Sequence, residues 1–332
     1  MKIAFFSTQL YDKTSFDHTN AAYGFELVYN DMPLDEQTAQ LIRPGTDAVC
    51  VFVNDKISDK VIAVLAEKGV KIIALRCAGF NNVNIEAAKN AGIQVCRVPS
   101  YSPEAVAEHA VAMILTLNRK THKAYSRVRE QNFSLNGLMG FNLHGKTIGV
   151  VGTGNIGKAF CRIMLGFGCR VVAFDLVANK EMEALGVEYL PLIEVLKADI
   201  ISLHCPLNEQ THHLINAYTL DMMKKGTMLI NTSRGGLIDT RAVIGALKTG
   251  QLSYLGIDVY EQEEKLFFRD LSGSIITDDD IQRLMSFPNV LITAHQAFFT
   301  AEALSQIAIT TLNNVQQLIK NGKLDTQAAL LV

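Results

Sequence analysis

A surplus of charge of either sign is missing from this chain: 31 Lys and Arg stand against 33 Asp and Glu, a formal net charge of −2. That leaves no electrostatic footprint for nucleic acid or an anionic membrane, and neither is expected as a partner. No uninterrupted apolar run reaches the ~20 residues of a membrane span. The opening Met1-Lys2-Ile3-Ala4-Phe5-Phe6 reads as a short first strand, without the length or cleavage site of a secretory signal. A cytoplasmic location is therefore expected. The 6 cysteines include no Cys-x-x-Cys and sit mostly inside apolar runs, which predicts buried, reduced thiols. The 8 histidines show no zinc spacing, and His212-His213 follow a polar turn and read as solvent-facing, so no metal is expected. Internal repeats and low-complexity segments are missing too.

What is present begins with a glycine loop in mid-chain, Gly152-Thr153-Gly154-Asn155-Ile156-Gly157. An apolar run, Thr147-Ile148-Gly149-Val150-Val151, feeds it, and a helical pattern leaves it. A second apolar run then ends at Asp175, 23 positions after Gly152. Strand, glycine turn, helix, strand and acid in this order form a dinucleotide-binding fingerprint. Gly152 permits the tight turn, Gly154 lets a pyrophosphate approach the backbone, and Gly157 lets the helix pack close on the strand. The helix start offers free N–H groups to phosphates. Asp175 suits the adenosine ribose hydroxyls and repels a 2′-phosphate, so NAD is expected over NADP.

The 332 residues, 48% apolar and 19% charged, suit two domains with proper cores. Candidate strands at residues 3–7, 48–53, 72–76 and 94–98 alternate with helical patterns at 60–67 and 85–90. Further strands are expected at 199–204, 228–232, 254–259 and 290–293. This alternation predicts α/β architecture with parallel sheets. One long helix is expected at 103–130, capped by Ser102 and apolar enough early on to be buried between domains or subunits. Asp278-Asp279-Asp280 reads as a helix start. The last helix, near 300–321, is expected to return to the first domain, with no sheet-forming run after it.

Three candidate strand ends carry polar groups, where open α/β sheets bind ligands. Arg234-Gly235-Gly236 offers a planar fork suited to a carboxylate, or else a surface ion pair. Asp258-Val259-Tyr260 leads to Glu261, Glu263 and Glu264. His295 follows a strand directly; alone it reads more readily as a structural histidine than as a proton donor. Reduction of a 2-keto acid beside a nicotinamide requires a cation for the carboxylate and a donor that keeps its proton at working pH. A neighbouring carboxylate favours a charged imidazole.

The chain resembles the D-2-hydroxyacid dehydrogenase family, and within it the D-lactate branch, over essentially its whole length. The likeness rests on Val98-Pro99-Ser100-Tyr101-Ser102-Pro103-Glu104-Ala105-Val106-Ala107-Glu108-His109, the central glycine loop with Asp175, and Leu203-His204-Cys205-Pro206-Leu207. Asn231-Thr232-Ser233-Arg234-Gly235, Asp258-Val259-Tyr260 and His295-Gln296-Ala297-Phe298 complete it. The resemblance implies two doubly wound parallel-sheet domains: a discontinuous flavodoxin-like substrate domain, residues 1–100 plus 299–332, and an inserted Rossmann NAD-binding domain, residues 101–298. The active site would lie in the cleft, with closure about hinges near residues 99–102 and 297–300. By motif, Arg234 would bind the substrate carboxylate, His295 would be acid and base, and Glu263 would pair with His295, leaving Glu261 and Glu264 as decoys. Ala78, Gly79 and Tyr101 would complete the substrate contacts. Gly152, Gly154, Asn155, Ile156, Gly157, Asp175, Cys205, Pro206, Thr211, Thr232, Ser233 and Asp258 would hold NAD.

Departures from the wider family's pattern point the same way. Ala294 stands before His295 where proline is usual, and Glu264 replaces a proline after Glu263. The expected activity is interconversion of pyruvate and D-lactate, with a dehydrogenase for bulkier 2-keto acids as the alternative and a non-enzymatic NAD-sensing protein as a remote one. Phe52, Phe298 and Phe299 suit either a small apolar pocket or plain core. A homodimer or homotetramer is expected.

Overall fold

The computed structural model describes residues 1–332, the side chain of Lys265 excepted. The chain divides into two compact units, Met1–Ser102 with Phe299–Val332, and Pro103–Phe298.

The first unit opens with β1 (Lys2–Phe5), α1 (Leu10–Asn20), β2 (Glu26–Tyr29), β3 (Ala48–Val51), α2 (Asp59–Glu67), β4 (Ile72–Leu75), α3 (Ile85–Asn90) and β5 (Gln94–Arg97). The five strands are parallel in the order β2-β1-β3-β4-β5, the doubly wound flavodoxin-like arrangement. β3 and β4 are buried at every position, as strands covered on both faces must be. The sheet's C-terminal edge is tied by a buried polar network. Arg76 donates from Nε to Asp12 Oδ1 (3.2 Å) and from Nη2 to the Ser7 carbonyl (2.8 Å). Asp55 accepts from Ser7 Oγ, Leu34 N and Phe52 N.

The second unit continues with α4 (Pro103–Arg119), α5 (Thr121–Arg129), β6 (Thr147–Val151), α6 (Asn155–Gly166), β7 (Arg170–Phe174), α7 (Lys180–Ala184), β8 (Glu188–Tyr189), α8 (Leu192–Val195) and β9 (Ile200–Leu203). It ends with α9 (Ala217–Met222), β10 (Thr227–Asn231), α10 (Thr240–Thr249), β11 (Leu252–Ile257), α11 (Asp279–Ser286) and β12 (Val290–Ile292). All seven strands are parallel, in the order β12-β11-β10-β9-β6-β7-β8. The order reverses between β6 and β9, the switch point where a Rossmann sheet opens its crevice. The chain then returns as α12 (Ala301–Asn321), capped by Thr300 Oγ1, and packs on α1, β4 and β5.

Several local expectations need correction. The single helix expected at 103–130 is two, broken at Lys120, whose φ of 50° is left-handed. α4 is buried by its own unit, against α6, β10 and β11, whereas α5 buries nothing. The strand β2 was not anticipated: its residues are at most half-buried, so its apolar pattern is weak. The end of the chain does extend a sheet, because Leu331 N donates to Val95 O (2.8 Å) and Val95 N to Val332 O (3.0 Å). Among the described residues no helix is long and apolar enough to cross a membrane.

Two predictions arise from the β6–α6 turn. A Cβ on Gly157 would lie 2.0 Å from the Gly152 carbonyl oxygen, whereas one on Gly166, at the far end of α6, meets nothing within 4 Å. Gly157→Ala is expected to lose ~3 kcal/mol or more in urea unfolding, and Gly166→Ala to stay within about 1 kcal/mol of the parent. The second concerns His204, just past β9, whose ring lies 4.9 Å from that of Phe160 and whose Nε2 is 2.9 Å from Ser202 Oγ. Burial pushes its imidazole down to about 3. The unfolded chain therefore takes this proton first, so the stabilisation is complete above pH ~6.5 and is lost as pH falls from there toward 3. Between pH 6.5 and 5 the protein is expected to lose up to about 2 kcal/mol more than His204→Asn, read from urea midpoints at the two pH values.

Candidate active site

Parallel strands put their C-terminal ends on one edge, and every expected residue of the second unit's site follows such an end. Thr153 follows β6, Asp175 β7, Cys205 β9, Thr232 to Arg234 β10, Asp258 β11 and His295 β12.

The strongest local organisation surrounds Asp258, which is wholly buried. Its Oδ1 accepts from Thr293 Oγ1 (2.6 Å) and Gln296 N (2.9 Å), and its Oδ2 from Ala297 N (2.9 Å). His109 of α4 reaches the same group, with Nε2 3.1 Å from Thr293 Oγ1 and 3.5 Å from Asp258 Oδ1. Burial alone would raise the Asp258 carboxyl; the bonds from His109, Thr293, Ala297 and Gln296 outweigh it and hold the group below the usual carboxylate range. The carboxylate thus folds the loop that carries His295. His295 N donates to the Asp258 carbonyl (2.7 Å), and its φ of 52° is left-handed, a conformation that persists only where surroundings impose it.

The His295 side chain is aimed from behind. Its Nδ1 lies 2.9 Å from Glu263 Oε1, and Glu263 Oε2 accepts from Tyr260 N (2.9 Å). Both carboxylate oxygens are occupied, so the imidazole is oriented and Nε2 remains to act. Glu261 turns elsewhere, to His213 Nε2 (2.6 Å) and Thr240 Oγ1 (3.0 Å).

Arg234 is set by its neighbours in the same way. Asn231 clamps the turn, accepting from Ser233 N (3.0 Å) and donating to the Arg234 carbonyl (2.9 Å). Ser233 Oγ donates to the Cys205 carbonyl (2.7 Å), tying β10 to β9. Gly235 must lack a side chain, since a Cβ would meet the Tyr260 carbonyl carbon at 2.1 Å. Arg234 is half-buried and donates once, from Nη1 to the Ser233 carbonyl (2.7 Å); among the described residues it forms no ion pair. Its remaining N–H groups suit an anion, which the surface ion-pair reading does not explain.

The residues around the glycine loop fit a dinucleotide. Gly154 begins α6 with no side-chain cap and open space around it, leaving the first-turn N–H groups for a phosphate. Asp175 accepts from Thr153 N (2.6 Å) and Thr153 Oγ1 (3.0 Å) through Oδ2 alone, leaving Oδ1 for a ribose hydroxyl. Thr232 Oγ1 is buried without a partner, a polar atom that a bound ligand would satisfy. Asn155 is exposed at the helix start and Ile156 half-buried. Thr211 Oγ1 donates to the Pro206 carbonyl (2.7 Å), shaping the loop after Cys205.

In the first unit, Arg97 Nη1 donates to the Ala78 carbonyl (2.9 Å), and Cys77 Sγ lies 3.3 Å from the Gly79 carbonyl. The N–H groups of Ala78 and Gly79 have no acceptor among the described residues. Tyr101 is half-buried. Phe52 is buried under the Arg76 guanidinium, Phe298 is buried, and Phe299 meets Tyr11 edge-on at 4.7 Å.

Sequence reasoning missed two groups. His109 lies inside the 98–109 motif with no role that sequence assigns it, and its spacing from Asp258 gives no local signal. His212 and His213, read as solvent-facing, differ: His213 is half-buried and bonded to Glu261.

Comparison with known proteins agrees with this geometry. The profile described as D-isomer specific 2-hydroxyacid dehydrogenase, NAD binding domain, matches residues 111–297. The D-lactate dehydrogenase of Escherichia coli is 53% identical over 321 residues, 96% of this chain and 97% of that protein. The solved apo-structure of D-lactate dehydrogenase from Escherichia coli superposes with a TM-score of 0.91 at 50% identity, covering 100% of both chains. A structure of the pyruvate reductase of Chlamydomonas reinhardtii superposes with a TM-score of 0.93 at 46% identity, covering 98% of each. The chain belongs to the D-isomer-specific 2-hydroxyacid dehydrogenase family.

Proposed function

We propose that this protein is an NAD-dependent D-lactate dehydrogenase that interconverts pyruvate and D-lactate. The carrying observation is the Glu263–His295 pair, with imidazole Nε2 left to act, at strand ends shared with an unpaired Arg234 guanidinium. NADH supplies the hydride when bound. Arg234 holds the substrate carboxylate through charge-assisted bonds and polarises the keto group. His295 Nε2–H gives its proton to the keto oxygen, and in lactate oxidation the same nitrogen takes the hydroxyl proton. Glu263 holds Nδ1–H throughout, which fixes the tautomer and steadies the charged ring. The backbone N–H groups of Ala78 and Gly79, with Tyr101, add contacts to the substrate.

On the cofactor side, Gly152, Gly154 and Gly157 leave backbone room for the pyrophosphate, and Asn155 and Ile156 present the helix start. Asp175 binds the adenosine ribose. Cys205, Pro206, Thr211, Thr232 and Ser233 line the nicotinamide half. Asp258 contributes less as a direct ligand than by shaping the loop, since both its oxygens already accept protein hydrogen bonds.

A cytoplasmic location accords with six buried cysteines. We assign self-association to α5 and the segment after it. Tyr125, Val128, Phe133, Leu135 and Met139 are large, apolar and exposed there, a cluster suited to a second copy of the chain. The homodimer or homotetramer so formed rests on this patch rather than on α4, which its own unit already covers.

Following NADH absorbance with pyruvate tests the activity; no turnover would favour a non-enzymatic NAD-binding role. His295→Ala is expected to lower kcat by about 10²–10⁴-fold, and Arg234→Ala to lower kcat/KM about a hundredfold or more. Near-parental rates in either would overturn these roles. Higher kcat/KM for 2-ketoisocaproate or phenylpyruvate than for pyruvate would move the substrate while keeping the chemistry. Asp175→Ala is expected to raise the NADPH-to-NADH ratio of kcat/KM by about tenfold or more. For assembly, light scattering on Leu135→Asp/Met139→Asp is expected to show monomer where the parent shows a larger particle; equal masses would remove the patch from the interface.

A further inference from the structure

We propose that His212, His213 and Glu261 form a site for one divalent transition-metal ion of the zinc class, on the back of the turn that holds Glu263. Each residue offers one ligand atom, and these atoms all lie within 4.8 Å of one another. The two imidazoles are stacked, with centroids 4.0 Å apart and planes 25° apart. His213 Nε2 and Glu261 Oε1 are already 2.6 Å apart. Donors on a tetrahedral zinc-class ion lie about 3.3 Å apart, so binding would part His213 Nε2 from Glu261 Oε1, release the proton they share to solvent, and draw in the exposed ring of His212.

The surroundings hold the carboxylate and His213 in place. Thr240 Oγ1 donates to Glu261 Oε2 (3.0 Å), as an outer partner does for a ligating carboxylate. His213 has a left-handed φ of 50°, fixed by its N–H on the Gly236 carbonyl (2.8 Å) and its own carbonyl on Asn216 Nδ2 (2.9 Å). Two imidazoles and one carboxylate select zinc, cobalt or nickel over magnesium or calcium, which prefer oxygen alone. The exposed side of His212 leaves the fourth position to water.

The site adjoins the proposed catalytic pair without sharing a residue with it. Glu261 follows Tyr260, whose N–H holds Glu263 Oε2, and Gly235, next to Arg234, packs against the same Tyr260–Glu261 peptide. An ion drawing Glu261 toward His212 pulls on that turn, so occupancy is expected to slow turnover. This last step rests on the dehydrogenase reading; the binding step does not.

Isothermal titration of the full-length protein with zinc chloride, after chelator treatment, tests binding. One ion per chain with micromolar affinity is expected, weakened at least tenfold in His212→Ala and in Glu261→Gln. Among the described residues the exposed His212 side chain makes no hydrogen bond, so its variant is expected to keep the fold, which circular dichroism checks. Cobalt substitution is expected to give visible bands without thiolate charge transfer. No binding, equal binding in both variants, or a thiolate band from the cysteines would overturn the site. Turnover of pyruvate by the parent is expected to fall at saturating zinc and return with EDTA. Loss of turnover that persists in His212→Ala, or unchanged turnover in a parent that binds zinc, would overturn the coupling.

Discussion

One buried carboxylate organises the loop that carries His295. Asp258 has no solvent contact, and it gathers the Thr293 hydroxyl, two backbone N–H groups and the His109 ring around its two oxygens. An isolated ionised carboxylate so placed would be costly, by several kcal/mol at least, and these donors offset that penalty. In return the loop after β12 is tied at 296 and 297, one and two residues beyond His295. The left-handed backbone at His295 carries strain of ~1–3 kcal/mol, and it persists because the bonds on either side leave the loop no other path. Strain and buried charge are here two aspects of one arrangement.

A second constraint is steric. The glycines at 152, 157 and 235 lie where backbone crosses backbone: 157 against the carbonyl of 152, 152 against the start of Cys205, and 235 against Tyr260. The first two bring β6, α6 and β9 together at the sheet's switch point. The third brings the Arg234 turn against the turn that carries Glu263. Arg234 and the His295–Glu263 pair are thus related by direct backbone contact between their supporting turns, which no side chain larger than hydrogen would permit.

Much of this was legible in the sequence because it follows short-range rules. Each strand at the centre of a sheet is a run of apolar residues, and the candidate site residues stand in the loops and turns just past such runs. The strand at 26–29 lies at an edge, half-exposed, and so lacks that signature. The break at Lys120 was hidden because lysine is a good helix former, and nothing local marks its left-handed turn. The change in burial, from apolar α4 to polar α5, is the trace it leaves. In the acidic cluster, only the resemblance to the family's motif separates Glu263 from Glu261; local chemistry does not. Position decides it: Glu263 turns back over the Tyr260 N–H toward β12, and Glu261 turns toward the loop after β9.

That division has a chemical consequence. Two glutamates two residues apart each hold a histidine from a different strand-end loop, His295 in one case and His213 in the other. His295 meets its glutamate through Nδ1, which leaves Nε2 outward; His213 meets its glutamate through Nε2. Different ring nitrogens are engaged by a single turn, and Tyr260 is its pivot, with its N–H on Glu263 and its hydroxyl on Asp278, the cap of α11. A force applied at Glu261 therefore has a short covalent path to Glu263 through Gln262, and a second path through Tyr260, whose N–H holds the Glu263 carboxylate. Asp278 holds this turn through the Tyr260 hydroxyl, so the residue that caps α11 also anchors the turn that carries both glutamates.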